Sequence, residues 1–377
     1  MPLTLRALFF LSGWTGLVYE VVWAKYLALT LGSTAAAHTF VLGTFLGGMA
    51  IGYAVLGRVA DQIKNPLRFY AQLELAIATL GVASPLLLGS KWGLLVIPAA
   101  AALMGGTLPA LSRCGAVANL YFLNSIGAAW GSLCAAFVLI PRLGLDGSVY
   151  TAALVNALIA AAAWRLASAP PPEKTPYRES SLPPRRLFYA VAAASGFISL
   201  ALEIAWIRML ALIYGSTVYS FAGMLAAFIA GVGAGAWLIG RPRFERVAPL
   251  RALIVVQVVS AAALMVTFPF YERLAFLPIW LDTFIENRKG LFMVYETGKF
   301  FISFTLMFIP AACFGMVPPL AAKAAVRDPK ETGTRVGAVF SWNAVGNVLG
   351  TAAAGLWLLP LLGLQGLFYA AVGLQVL

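Results

Sequence analysis

Residues 12–34, SGWTGLVYEVVWAKYLALTLGST, return 183 positions later as residues 195–217, SGFISLALEIAWIRMLALIYGST. Eleven of these 23 columns are identical, Glu20/Glu203 and Trp23/Trp206 among them, and Lys25/Arg208 keeps the charge. The same offset carries Gly52, Gly57, Arg58 and Pro66 onto Gly235, Gly240, Arg241 and Pro249. Further on, Gly106-x-x-Pro109 matches Gly315-x-x-Pro318, and Asn124-x-x-Gly127 with Gly131 and Pro141 matches Asn343-x-x-Gly346 with Gly350 and Pro360. Repetition on this scale marks a duplicated unit, and the unit is apolar throughout.

The chain has 377 residues, 61% hydrophobic and 11% charged, with mean hydropathy +0.88. A soluble domain carries about a quarter charged residues, so most of this chain must face lipid. In lipid every backbone polar group needs an internal partner, which leaves helices or closed barrels. The apolar runs are too long for barrel strands and lack their alternation. We therefore expect an all-α integral membrane protein of about twelve transmembrane helices, arranged as two parallel six-helix repeats. The expected divisions are 1–166 for the first repeat, 167–186 for a Pro-rich cytoplasmic linker, and 187–377 for the second. An insertion at 270–298 is expected to be an amphipathic segment on the outer face. The last apolar run is short for a span, which predicts an incomplete final helix.

Eighteen Lys and Arg fall on the side of the N-terminus and six on the other, with Lys25 and Arg208 inside or beside apolar segments. This bias across short loops predicts cytoplasmic termini in a bacterial-type inner membrane. It also accounts for the net charge of +12 without nucleic acid as a partner. Cys114, Cys134 and Cys313 form no metal-ligand spacing, and His38 is the only histidine. No metal and no cofactor is expected, and no catalytic motif is present.

Carboxylates inside apolar helices are costly and mark function by default. Glu20, Glu203 and Glu74 are the candidates. Lys25 and Arg208 lie five residues beyond Glu20 and Glu203, about 140° away around the helix, so pairing within a helix is poor. Pairing across the halves is expected instead, Glu20 with Arg208 and Glu203 with Lys25. That arrangement would leave no net negative pocket. Asn124 and Asn343, amid small residues, are expected to hydrogen-bond between helices. The Gly-x-x-Pro pairs are candidates for helix breaks around a cavity.

The motif Ser12-Gly-x-x-x-Leu17-x-Tyr19-Glu20-x-x-Trp23, the Gly57-Arg58-x-x-Asp61 ending of the second segment, Gly106-x-x-Pro109 and Tyr121-x-x-Asn124-x-x-Gly127-Ala128 resemble the membrane region of polytopic spermidine synthase-like proteins. The resemblance implies a membrane module that anchors or gates a cytoplasmic aminopropyltransferase-like domain not contained in these residues. Two other readings stand beside it. One is a stand-alone secondary transporter of a small cation or polyamine, using the three glutamates. The other is a non-catalytic subunit that meets a partner through 270–298.

Overall fold

A computed structural model describes residues 2–31, 35–88, 93–167, 183–215, 217–244, 247–276 and 292–376. The linker around 168–182 and the centre of the insertion, 277–291, lie outside the described residues, as does the side chain of His38.

Among the described residues, twelve α-helices run in order. In the first half they are α1 (Leu3–Leu31), α2 (Ala35–Gln62), α3 (Pro66–Leu88), α4 (Gly93–Leu111), α5 (Val117–Cys134) and α6 (Ile140–Leu166). In the second they are α7 (Arg185–Tyr214), α8 (Val218–Ile239), α9 (Pro249–Tyr271), α10 (Phe292–Ala325), α11 (Thr332–Ala353) and α12 (Leu359–Val376). Among the described residues, nine stretches are long and apolar enough to cross a membrane; two of these, Val117–Leu166 and Pro329–Val376, run 50 and 48 residues. A crossing needs about 20, so each must fold back on itself.

Both fold back in the same way. After α5 the chain widens into a π-helical turn over Ala135–Leu139, and after α11 over Ala354–Leu358. Each then breaks at a glycine in left-handed backbone, Gly144 (φ 71°) and Gly363 (φ 66°). Only glycine enters that region without a Cβ penalty. The reversal separates α5 from α6 and α11 from α12.

Packing depends on close backbone contact, the main route to helix association without a hydrophobic driving force. A Cβ at Gly52 would sit 1.9 Å from the Ala102 carbonyl oxygen, and one at Gly235 would sit 1.8 Å from that of Ala312. These contacts join α2 to α4 and α8 to α10. Likewise Gly13 abuts the Asn124 carbonyl, and Gly196 that of Asn343, joining α1 to α5 and α7 to α11.

The two groups of six meet along two seams. In one, α2 meets α11 through Gly57 against Gly333 and Tyr53 against Gly337. In the other, α5 meets α8 from Asn119 against Gly240 to Phe137 against Tyr219, whose rings lie 5.0 Å apart.

The ends that carry most of the arginines gather on one side. Asp61 in the last turn of α2 accepts from the backbone N–H groups of Gly333 and Thr334 at 2.8 and 2.7 Å, capping α11 across the seam. Arg113 donates to the carbonyls of Ala60 and Ile63, and Asn65 to that of Ala167. Glu331 pairs with Arg185 (3.2 Å) and Arg335 (2.9 Å), and Arg327 donates to the Pro183 carbonyl.

Two expectations need correction. The Gly-x-x-Pro motifs break nothing: α4 continues through Pro98 and Pro109, and α10 through Pro310, Pro318 and Pro319. Neighbouring helices tolerate the missing bonds. The final segment of the insertion, from Phe292, belongs to α10 rather than to an interfacial segment.

Candidate functional site

Glu20 and Glu203 line one cavity of about 190 Å³ between the two halves. α1 supplies Glu20, α7 supplies Glu203 with Ser195 and Ser199, α5 supplies Asn124, and α11 supplies Asn343 and Asn347. Gly13 and Gly196 let α1 and α7 lie directly on α5 and α11 beside Asn124 and Asn343, so the amides line the cavity about two helical turns from the acids. Asn343 Nδ2 donates to the Ala192 carbonyl at 3.0 Å, which fixes its orientation across the α7/α11 contact. Asn124 faces the cavity.

Aromatic side chains close the cavity toward the arginine-rich side. Phe340 packs on Tyr53 (5.5 Å between centroids) and edge-on to Tyr121 (5.1 Å). Phe228 and Phe314 add further rings to the lining. Among the described residues, no basic side chain lines the cavity.

The expected ion-pair lock is absent. Among the described residues, neither Glu20 nor Glu203 pairs with Lys25 or Arg208. Both basic side chains are exposed, whereas Glu203 is 5% exposed and Glu20 is half-buried. The 140° between acid and base around the helix explains this. It turns the acids inward and the bases out, where long side chains reach the lipid headgroup level. The pocket is consequently acidic, contrary to the sequence-based expectation.

Glu74 is the odd member. It is wholly buried between α1, α3 and α6, away from the cavity lining. A buried ion pair that the sequence pattern does not single out lies on α10. Lys299 Nζ lies 2.5 Å from Glu296 Oε1 and donates to Ser220 Oγ at 3.1 Å. Lys299 was assigned to an outer loop, but it is 4% exposed and sits over the rings of Tyr295 and Tyr214 at 4.7 and 5.8 Å. The i,i+3 spacing of Glu296 and Lys299 was a usable signal. The uninterrupted apolar run of the sequence begins only at 299, whereas the helix begins at Phe292. No cluster able to hold a metal occurs among the described residues.

No family model matches the chain, and no curated protein matches it. Solved structures do. The human organic anion transporter MFSD10 (TETRAN) aligns over 100% of this chain and 98% of its own, with TM-score 0.56 and 14% identity. The nucleoside transporter NupG aligns over 99% and 96%, with TM-score 0.61 and 14% identity. The chain has the twelve-helix fold of MFS-type transporters. It is an integral membrane protein in contact with the lipid bilayer.

Proposed function

We propose that this chain is a secondary transporter whose substrate is a small organic cation, amines and polyamines included. The observation that carries the proposal is the lining of the cavity. Among the described residues, two carboxylates, one from each half, share a space with three asparagines and several rings but no base. Uncompensated carboxylates in a membrane interior call for a cationic partner. An ammonium group meets carboxylates for charge, amide oxygens for hydrogen bonds, and aromatic faces for cation–π attraction. An anion meets only repulsion there. The organic anion and nucleoside named for the two similar structures are therefore not transferred to this chain.

The same proposal includes the architecture. The halves 1–166 and 187–377 act as parallel repeats about an axis along the membrane normal, with the cavity at their interface, a common transporter plan. In support, the paired contacts at Gly13/Gly196 and Gly52/Gly235 and the paired breaks at Gly144/Gly363 occur at matching positions. We also place the arginine-rich side and both termini in the cytoplasm of a bacterial-type inner membrane, on the charge bias of the loops. The resemblance to spermidine synthase-like proteins finds no support in the comparisons, and neither does a partner domain or subunit.

Uptake into proteoliposomes tests the reading. Labelled small amines are expected to enter against an imposed gradient, and Glu20→Gln or Glu203→Gln is expected to reduce entry at least tenfold. Equal uptake by both variants, or selective uptake of anions, would overturn it.

A further inference from the structure

The first half buries a carboxylate that the proposed transport site does not use. Glu74 on α3 is 0% exposed. Its Oε1 accepts from Ser12 Oγ at 2.6 Å and its Oε2 from Asn156 Nδ2 at 2.5 Å. Asn156, itself 1% exposed, also donates to Thr15 Oγ1 at 3.1 Å. Three helices thus converge on one carboxyl group: α1 through Ser12, α6 through Asn156, which Thr15 of α1 helps to orient, and α3 through Glu74 itself.

No cation balances it. The helices packed around Glu74 carry Arg6, Glu20 and Lys25 (α1), Arg68 (α3), and Arg142, Asp146 and Arg165 (α6), with no charge on α4. Among the described residues none of these pairs with Glu74. The remaining titratable neighbours are tyrosines. The Tyr70 hydroxyl donates to the Leu8 carbonyl at 3.3 Å and also lies in hydrogen-bond reach of Glu74, and the hydroxyl of Tyr19 lies buried without a partner against α3 near Gly81.

Packing alone does not require an acid here. The offsets between the halves carry Ser12, Glu74 and Asn156 onto Ser195, Gln257 and Gln375. Ser195 Oγ, Gln257 Oε1 and both polar atoms of Gln375 are buried without partners. The second half therefore holds an amide of the same shape where the first half holds Glu74.

The cluster can serve both protonation states. Ser12 and Asn156 donate to the carboxylate. Asn156 Oδ1 is buried with no partner, so a half-turn of that amide presents an acceptor to the O–H of the acid. An amide offers either a donor or an acceptor edge in nearly the same volume.

We propose that Glu74, held by Ser12 and Asn156 at the α1/α3/α6 contact, is a proton-binding site outside the cavity and confined to the first half. One proton adds to the carboxylate to give the neutral acid, and no other bond changes. Because α1 carries Ser12 and, about two turns on, Glu20, loading this site alters how the helix bearing a cavity acid is tied to α3. The assignment does not depend on the cation-transport reading.

The test uses the full chain carrying E20Q and E203Q, so that no cavity acid contributes. Infrared spectra are recorded from about pH 4 to about pH 10, a range spanning documented buried carboxyl groups. Subtracting the same protein with Glu74→Gln is expected to leave one carboxylic-acid carbonyl band that titrates with one proton per chain. Asn156→Leu is expected to move its midpoint by at least one pH unit, a tenfold change in proton affinity. Asn156→Leu also serves if Glu74→Gln fails to fold. No difference band at any pH would overturn the assignment, as would a midpoint that Asn156→Leu leaves in place.

Discussion

Matching positions in the two halves fall into two groups. Glu20 and Glu203, Gly52 and Gly235, and Gly144 and Gly363 are alike in residue and in surroundings. Glu74 and Gln257 differ, and the buried pair Glu296–Lys299 answers to Leu87 and Ser90 by the offset of their helix. The alike positions face the shared cavity, touch a neighbouring backbone or reverse the chain. The unlike ones lie off the cavity lining, within one half. Symmetry is kept at the common cavity and at these close backbone contacts, although the seam cap at Asp61 has no counterpart at Phe244. Chemistry diverges where only one half is involved.

The largest stability effect is expected at the pair that only the second half has. Removing one partner from a buried ion pair leaves an uncompensated charge and costs about 3–5 kcal/mol. Glu296→Gln is therefore expected to lower the thermal midpoint of the detergent-purified chain strongly. The double replacement Glu296→Leu with Lys299→Met, which exchanges the pair for apolar side chains of similar length, is expected to recover most of it. A double variant no better than the single one would mean that the pair is needed for more than charge balance.

Next come the matched glycines. Gly52→Ala and Gly235→Ala each drive a Cβ into a carbonyl oxygen, and overpacking of this kind costs about 1–3 kcal/mol. Equal losses at the two positions are expected in melting curves. Loss at one alone would break the structural equivalence of the halves.

Smaller again is the cap across the seam. Asp61→Ala removes the acceptor for two N–H groups at the start of α11, worth about 1 kcal/mol for a helix cap. Arg241 of the second half is followed by Pro242 and Arg243, and Phe244 stands where Asp61 would match. No comparable loss is expected from Phe244→Ala.

The smallest effect is set by pH. The Glu331 carboxyl is held below the ordinary carboxylate range, first by the hydrogen bond from Arg335 and then by the charges of Arg335 and Arg185. A depressed folded-state pKa contributes stability above the unfolded value and loses it as pH falls through the folded one. The pair is half-exposed, so the contribution stays under ~1 kcal/mol. The melting curves of wild type and Glu331→Gln should therefore differ slightly at neutral pH and converge in acid.

Much of the fold was legible because lipid leaves few choices. An apolar run of about 20 residues becomes a helix whatever its details, and repeated sequence fixes how many to expect. Glu20, Glu203, Asn124 and Asn343 were legible as polar residues in the wrong solvent. Their grouping was misread. The angle that ruled out pairing of Glu20 with Lys25 on one helix also sends Lys25 away from the other half, and that consequence was not drawn. Asn156 carried no signal of its own. It gains meaning only when α6 meets α1 and α3, a contact between residues 141 positions apart. Lys299 was hidden by a helix that begins seven residues earlier than its apolar run.

The central claim is that two carboxylates from opposite halves recognise a cation, and ligand-induced thermal stabilisation of the purified chain tests it most directly. A binding ligand raises stability by RT ln(1 + [L]/Kd), so small ammonium compounds should raise the midpoint of the wild type. Their neutral and carboxylate analogues should not, and Glu20→Gln and Glu203→Gln should each abolish the ammonium response. Stabilisation by an anionic or neutral analogue that both variants retain would contradict the account.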